Sequence, residues 1–211
     1  MHVVLVLCTW LGVASAGASA PTASDESFDE VYRRGHETAA GITTLTARFT
    51  ETTESSLLTR PLVARGTLAV QRPNRAVLRF TEPEARVIVI DGDRMTMVWP
   101  SRKVTRLTNV ASTQSRIQKY LGSASASELR RQFDVGFQDA AARPDTYEVT
   151  LTPKRARVRD SLKQLVLWVD RTSLMLTALR MTYANGDTKT MEFDEVMPNA
   201  VVEPRLFSVE R

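Results

Sequence analysis

Cysteine is nearly absent from this sequence: Cys8 is the only one among 211 residues. Without a second thiol no intrachain disulfide can form, so stability must come from an ordinary core. Histidine is almost as scarce, with His2 and His36 alone. His36 falls on the polar side of an expected helix, and a lone histidine without partners is read as a surface residue. There is no G-x-S-x-G, no glycine loop that would cradle a phosphate, and no ligand cluster at metal spacing. Asp91 and Asp93 flank Gly92, and a hairpin turn accounts for them. We therefore expect no catalytic residue, no metal site and no cofactor.

Long apolar runs are missing too. The longest, Val3 to Val13, is shorter than the roughly twenty residues needed to span a bilayer. It leads into Ala18-Ser19-Ala20, the pattern of a signal peptide with cleavage after Ala20; Ala14-Ser15-Ala16 offers a second cut site. His2 stands where a lysine or arginine would normally supply the positive charge. Leu7 precedes Cys8, where a lipidated cysteine requires a small residue. The expected organisation is a signal peptide over 1–20 and one domain over 21–211 of an exported protein. No charged side chain lies in 1–20, so the net charge of +4 belongs to the mature chain. That balance is modest. It is met by solubility and gives no reason to expect a nucleic-acid partner.

What is present is mostly strand. Ser27-Phe28-Asp29-Glu30 has the form of a capping box, and Phe28, Val31, Tyr32, Ala39 and Ile42 recur at helical spacing behind it. From Leu45 the period becomes two: Leu45, Ala47 and Phe49, then Leu68 and Val70, then Ala76, Leu78 and Phe80. Turn residues follow at Arg72-Pro73-Asn74, Glu82-Pro83, Asp91-Gly92 and Pro100-Ser101. Ser112 to Leu121 reads as a helix, and Ser125-Ala126-Ser127-Glu128 opens another in which Leu129 and Phe133 stand four apart. Strands resume over Tyr147–Leu151, Leu165–Val169, Leu174–Tyr183 and Thr188–Phe193, the last two joined at Asn185-Gly186. This predicts an α+β, mainly β, chain built on one long antiparallel sheet. Val87–Ile90, Leu165–Val169 and Leu174–Tyr183 are apolar on both faces, and the helices are too few to cover both. Two solutions stay open: a curved sheet around an apolar cavity, or a closed barrel with a filled core.

Two compositional signals remain. Met95, Met97, Met175, Met181 and Met191 fall in expected strands, where core packing explains each; grouped on one wall, such flexible side chains would suit acyl chains. Lys154, Arg155, Arg157, Arg159 and Lys163 form a basic run opposed only by Asp160. It reads as a solvated loop, or as a docking edge for an acidic partner or an anionic membrane.

The sequence resembles the LolA-type outer-membrane lipoprotein carriers. The likeness is carried by Leu45-Thr46-Ala47-Arg48-Phe49-Thr50, Gly66-Thr67-Leu68 leading to Arg72-Pro73-Asn74, Thr81-Glu82-Pro83-Glu84 and Asp91-Gly92. It continues through Leu151-Thr152-Pro153-Lys154, Asn185-Gly186-Asp187-Thr188, Asn199 and Pro204-Arg205-Leu206-Phe207. The resemblance implies a curved, unclosed antiparallel barrel of about ten or eleven strands, capped by an N-terminal helix and mid-chain lid helices. It implies a monomeric periplasmic carrier taking acylated lipoproteins from an inner-membrane ABC transporter to an outer-membrane acceptor. Arg72 matches the arginine that latches the lid in the family. Ala76, Leu78 and Phe80 match cavity-lining positions, and the lining is expected to extend through Val87, Val89, Met95, Met97 and Trp99 to Ile117, Tyr120 and Leu121 of the lid. Lys154, Arg155, Arg157 and Arg159 are the expected docking residues. Ala76 replaces a larger residue and aromatics are few, which also admits a non-protein lipid such as a glycolipid or hopanoid-like molecule. A lipid-sensing regulator of an anti-sigma factor is a further alternative on the same fold.

Overall fold

The computed structural model describes residues 26–112 and 125–208. The expected signal segment lies outside these residues, as does the expected lid helix beyond Ser112, with Ile117, Tyr120 and Leu121. Helix α1 spans Phe28–Ala40. Ser27 caps it by accepting from the Glu30 amide at 3.3 Å. The reciprocal half of the capping box is not made, because the Glu30 carboxylate turns to Arg33 at 2.5 Å.

Among the described residues eleven strands follow: β1 Thr44–Glu54, β2 Leu62–Gln71, β3 Arg75–Glu82, β4 Arg86–Asp91, β5 Arg94–Trp99, β6 Val104–Asn109, β7 Phe133–Asp139, β8 Thr146–Pro153, β9 Leu162–Asp170, β10 Leu176–Tyr183 and β11 Thr188–Pro198. Helix α2 (Ala126–Gln132) precedes β7, and the short α3 (Ala156–Arg159) joins β8 to β9. All pairings are antiparallel, in the order β6-β5-β4-β3-β2-β1-β11-β10-β9-β8-β7. β6 and β7 stand at opposite edges, so the sheet is not closed into a barrel. Among the described residues no helix is long and apolar enough to cross a membrane.

Two expected boundaries move, and one strand is new. Leu129 and Phe133 were expected to share a helix, but Phe133 opens β7 and pairs with Pro153. The alternation of Phe133, Val135 and Phe137 outweighs the four-residue spacing, which a helix ending at Gln132 serves as well. The strand expected from Leu174 starts at Leu176. Asp170 accepts from the Ser173 amide at 2.7 Å and from the Ser173 hydroxyl, holding a turn in which Leu174 takes φ 56°. Met175 is thus buried beside the strand rather than in it. β6 escaped notice because Val104–Asn109 shows no apolar alternation and is exposed throughout.

The two-sided apolar strands are covered on both faces by packed side chains. The main cluster lies on the inner face, where Val31 and Tyr32 of α1 pack with Leu45, Phe49, Leu78, Leu167 and Met191. Phe28 meets Phe137 at 5.8 Å between ring centroids, tying α1 over the β7 side. On the outer face the C-terminal segment returns: Phe207 covers Ala69, Val77 and Val89, and Arg79 donates to the Leu206 carbonyl at 3.3 Å. A second outer cluster gathers Val166, Trp168 and Ala178. Arg143 and Arg180 lie over the Trp168 ring at 4.7 and 5.5 Å.

One close approach fixes the packing of β1, β2 and β3. Gly66 in β2 pairs with Phe49 on one side and Phe80 on the other. The two rings meet edge to face above it at 4.9 Å. A Cβ at Gly66 would lie 2.1 Å from the Arg79 carbonyl oxygen and 2.9 Å from the Phe49 ring. Only glycine fits there without parting the strands. Gly66→Ala should therefore lower stability by about 2 kcal/mol or more, read as a lower urea midpoint. An unchanged midpoint would show that β2 and β3 accommodate the methyl group.

Candidate functional site

The inner face of β3, β4 and β5 brings together most of the expected lining. Ala76, Leu78 and Phe80 of β3 join Met95 and Met97 of β5 in the main cluster, and half-buried Trp99 packs against it. Alternation dictates this: the paired positions Leu78, Ile88 and Met97 all project to one side. Val87 and Val89 do not join them. They sit one residue out of phase with Ile88 and Ile90 and pack on the outer face with Phe207. In β4 the inner apolar pair is therefore Ile88 and Ile90, with Arg86 next in the row. The sequence alone left this open, because all four residues are aliphatic.

Arg72 lies in the β2–β3 turn, half-buried, with its amide donating to the Thr43 carbonyl at 2.8 Å. The segment it was expected to latch lies outside the described residues. The basic run is only partly a loop: Lys154 and Arg155 lie in a bend, Arg157 and Arg159 in α3, and Lys163 in β9. Arg159 donates to the Pro153 carbonyl at 3.2 Å, holding the start of its own helix. Lys154 bonds the Arg130 carbonyl at 2.7 Å and pairs with Asp134 at 3.3 Å. Arg155 and Arg157 are exposed. His36 is exposed on α1, as its spacing implied.

Sequence reasoning missed an ionic cluster on the inner face. Glu51 follows Leu45, Ala47 and Phe49 in alternation, so the period that buries them turns its carboxylate inward, where it is 6% exposed. Lys189 of β11 reaches it at 2.8 Å and Arg86 of β4 at 3.4 Å. The Arg86 guanidinium also lies 3.7 Å from the Phe80 ring centroid, and its Nε is buried without a hydrogen-bond partner. Burial, and the Glu51 and Asp187 carboxylates, raise the pKa of the Tyr183 phenol above its ordinary value. A charged residue in phase with an apolar row was the signal available in the sequence. Among the described residues, no group of three or more His, Cys, Asp or Glu side chains converges as a metal site.

Removing Glu51 would leave two inward cations without their shared anion. Glu51→Ala should cost about 2–3 kcal/mol of unfolding free energy, and Lys189→Met less, since Arg86 still pairs with the carboxylate. Urea unfolding measures both. If Glu51→Ala unfolds at the wild-type midpoint, the cluster behaves as an ordinary surface pair.

Comparison with known proteins now adds to the geometry. The family model described as "Outer membrane lipoprotein carrier protein LolA" matches residues 40–210. An outer-membrane lipoprotein carrier protein of Pseudomonas entomophila is 23% identical over 168 residues, covering 79% of this chain and 77% of that one. Among solved structures, a LolA superfamily protein of Nitrosomonas europaea is similar with a TM-score of 0.43 and 11% identity, covering 80% of this chain and 90% of the other. The Pseudomonas aeruginosa MucA/MucB complex contains a chain similar at TM-score 0.45 and 14% identity, covering 79% of this chain and 56% of that one. On the match over 40–210, with an unclosed sheet under an N-terminal helix, the chain belongs to the LolA family of outer-membrane lipoprotein carriers.

Proposed function

We propose that this protein binds the acyl chains of lipoproteins against its inner face. In this reading it carries them through the periplasm, as a monomer, from an inner-membrane ABC transporter to an outer-membrane acceptor. The observation that carries the reading is the wall formed by Ala76, Leu78, Phe80, Met95 and Met97, gathered on one side of β3 and β5. Each buried CH₂ is worth about 0.8 kcal/mol, so bare acyl chains do not cross water freely, and an apolar wall offsets that cost. The two methionines are flexible enough to follow chains of differing shape. Family membership supports lipoprotein as the cargo. The apolar leader over 1–20 supports export, with the mature chain beginning near Pro21.

The test is loading and transfer of an acylated lipoprotein by the purified mature chain. Leu78→Glu should lose cargo and also lower the urea midpoint, because Leu78 is 1% exposed in the main cluster and an unpaired carboxylate there is costly. Full cargo retention by the folded variant would show that the wall is misassigned. Binding of a free glycolipid with no lipoprotein retained would replace the cargo in this reading.

Arg72 is the proposed latch. A carrier's closed and open states should lie within a few kcal/mol of each other, so that cargo can be held and then released. Arg72→Leu keeps the bulk and deletes five donors, favouring an open state that holds cargo well and surrenders it poorly. The expected result is normal loading with transfer reduced by about tenfold. Normal transfer with unchanged retention makes Arg72 an ordinary turn residue.

A further inference from the structure

The connection between β1 and β2 carries an apolar tip that the core does not use. Leu57 is 90% exposed, Leu58 42%, Leu62 50% and Val63 37%. Single exposed leucines are ordinary, but four large aliphatic side chains within seven consecutive positions mark a contact surface. From Ser55 to Val63 the only charged residue is Arg60, and it is exposed.

Sheet topology decides what surrounds this tip. The β3–β4, β5–β6, β8–β9 and β10–β11 connections all leave the sheet at the same end as β1–β2. That end therefore also carries Lys103, Arg157 of α3 and Lys163, each exposed. Two of its acids are neutralised: Glu82 pairs with Arg65 at 2.9 Å and Glu84 with Arg102 at 2.7 Å. Glu54, Asp160 and Asp187 remain, against Arg60, Lys103, Arg157, Arg159 and Lys163. An apolar finger among cations is complementary to anionic phospholipid, whose acyl region takes aliphatic side chains while its phosphates meet guanidinium and ammonium groups.

We propose that this end of the sheet docks on an anionic phospholipid bilayer. Leu57, Leu58 and Leu62 enter the interface, and Arg60 with the neighbouring basic connections meets the headgroups. The surface is separate from the inner-face wall, so vesicle binding and cargo retention can fail independently of each other.

Flotation of the purified mature chain with vesicles tests this. Binding to phosphatidylcholine vesicles doped with phosphatidylglycerol should be at least about tenfold tighter than to phosphatidylcholine alone, and should weaken as salt rises. Leu57→Asp combined with Leu58→Asp should reduce that binding roughly tenfold or more while the protein stays folded, since Leu57 lies almost wholly in water and Leu58 is exposed at the same tip. Leu57→Trp provides a direct reporter: its added emission should shift to the blue when doped vesicles are supplied. Absence of vesicle binding, equal binding by the double aspartate variant, or an unshifted reporter would each overturn the proposal. Capture by a protein acceptor without partition into bare vesicles would do the same. Loss of cargo retention with vesicle binding intact would count against the carrier function and leave this surface standing.

Discussion

The architecture depends on a single ladder between strands from opposite ends of the chain. β1 through β6 form one meander and β7 through β11 another, and every pairing within each joins sequence neighbours. Only β1 with β11 joins the two, from Leu45 opposite Pro198 to Glu54 opposite Thr188, with one irregularity between Thr46 and Arg48. The same seam carries the side-chain bonds that reach furthest along the sequence. Thr44 donates to the Ala200 carbonyl at 2.7 Å, and Asn199 bonds both the Thr43 amide at 3.0 Å and the Gly41 carbonyl at 3.2 Å. Asn199 manages this at φ 54°, a left-handed conformation that asparagine tolerates better than most residues. Closing so distant a contact costs chain entropy before any packing is gained.

The seam also explains why the inner face is not uniformly apolar. Glu51 and Lys189 lie on its two strands, and Arg86 reaches Glu51 across β2 and β3. A buried ion pair is weak evidence of stability, yet it specifies which residues must face one another. Between two meanders that could otherwise slide, such a marker resists a register slip, which would turn every apolar side chain to the wrong face. Toward β3 and β5 the inner face then becomes purely aliphatic, aromatic and thioether.

Much of this was legible before the structure. The capped helix at Ser27, the hairpins at Asp91-Gly92 and Asn185-Gly186, and the alternation from Leu45 to Phe80 were local signals, and they read correctly. What failed was non-local. Val87 and Val89 could not be distinguished from Ile88 and Ile90, because a wholly aliphatic strand has no polar side to mark its orientation. Phe207 decides that orientation from the far end of the chain. The two-sided apolar strands suggested a cavity, whereas part of their outer surface is covered by the returning C-terminal segment and part by a tryptophan under two arginines. Glu51 was passed over because a carboxylate in phase with a core row reads as an exception until its cations are placed beside it.

An open sheet has two rims, and a strand at a rim presents backbone donors and acceptors ready to pair with another chain. Here β6 is short and contains Arg106, while β7 bears Asp134 and Asp139. Asp139 is held by Arg171, and Asp134 by Lys154 at 3.3 Å. These charges oppose the pairing of like rims, β6 with β6 or β7 with β7, in two molecules. The feature that leaves the fold unclosed is thus matched by edge charges that keep like rims of neighbouring molecules apart.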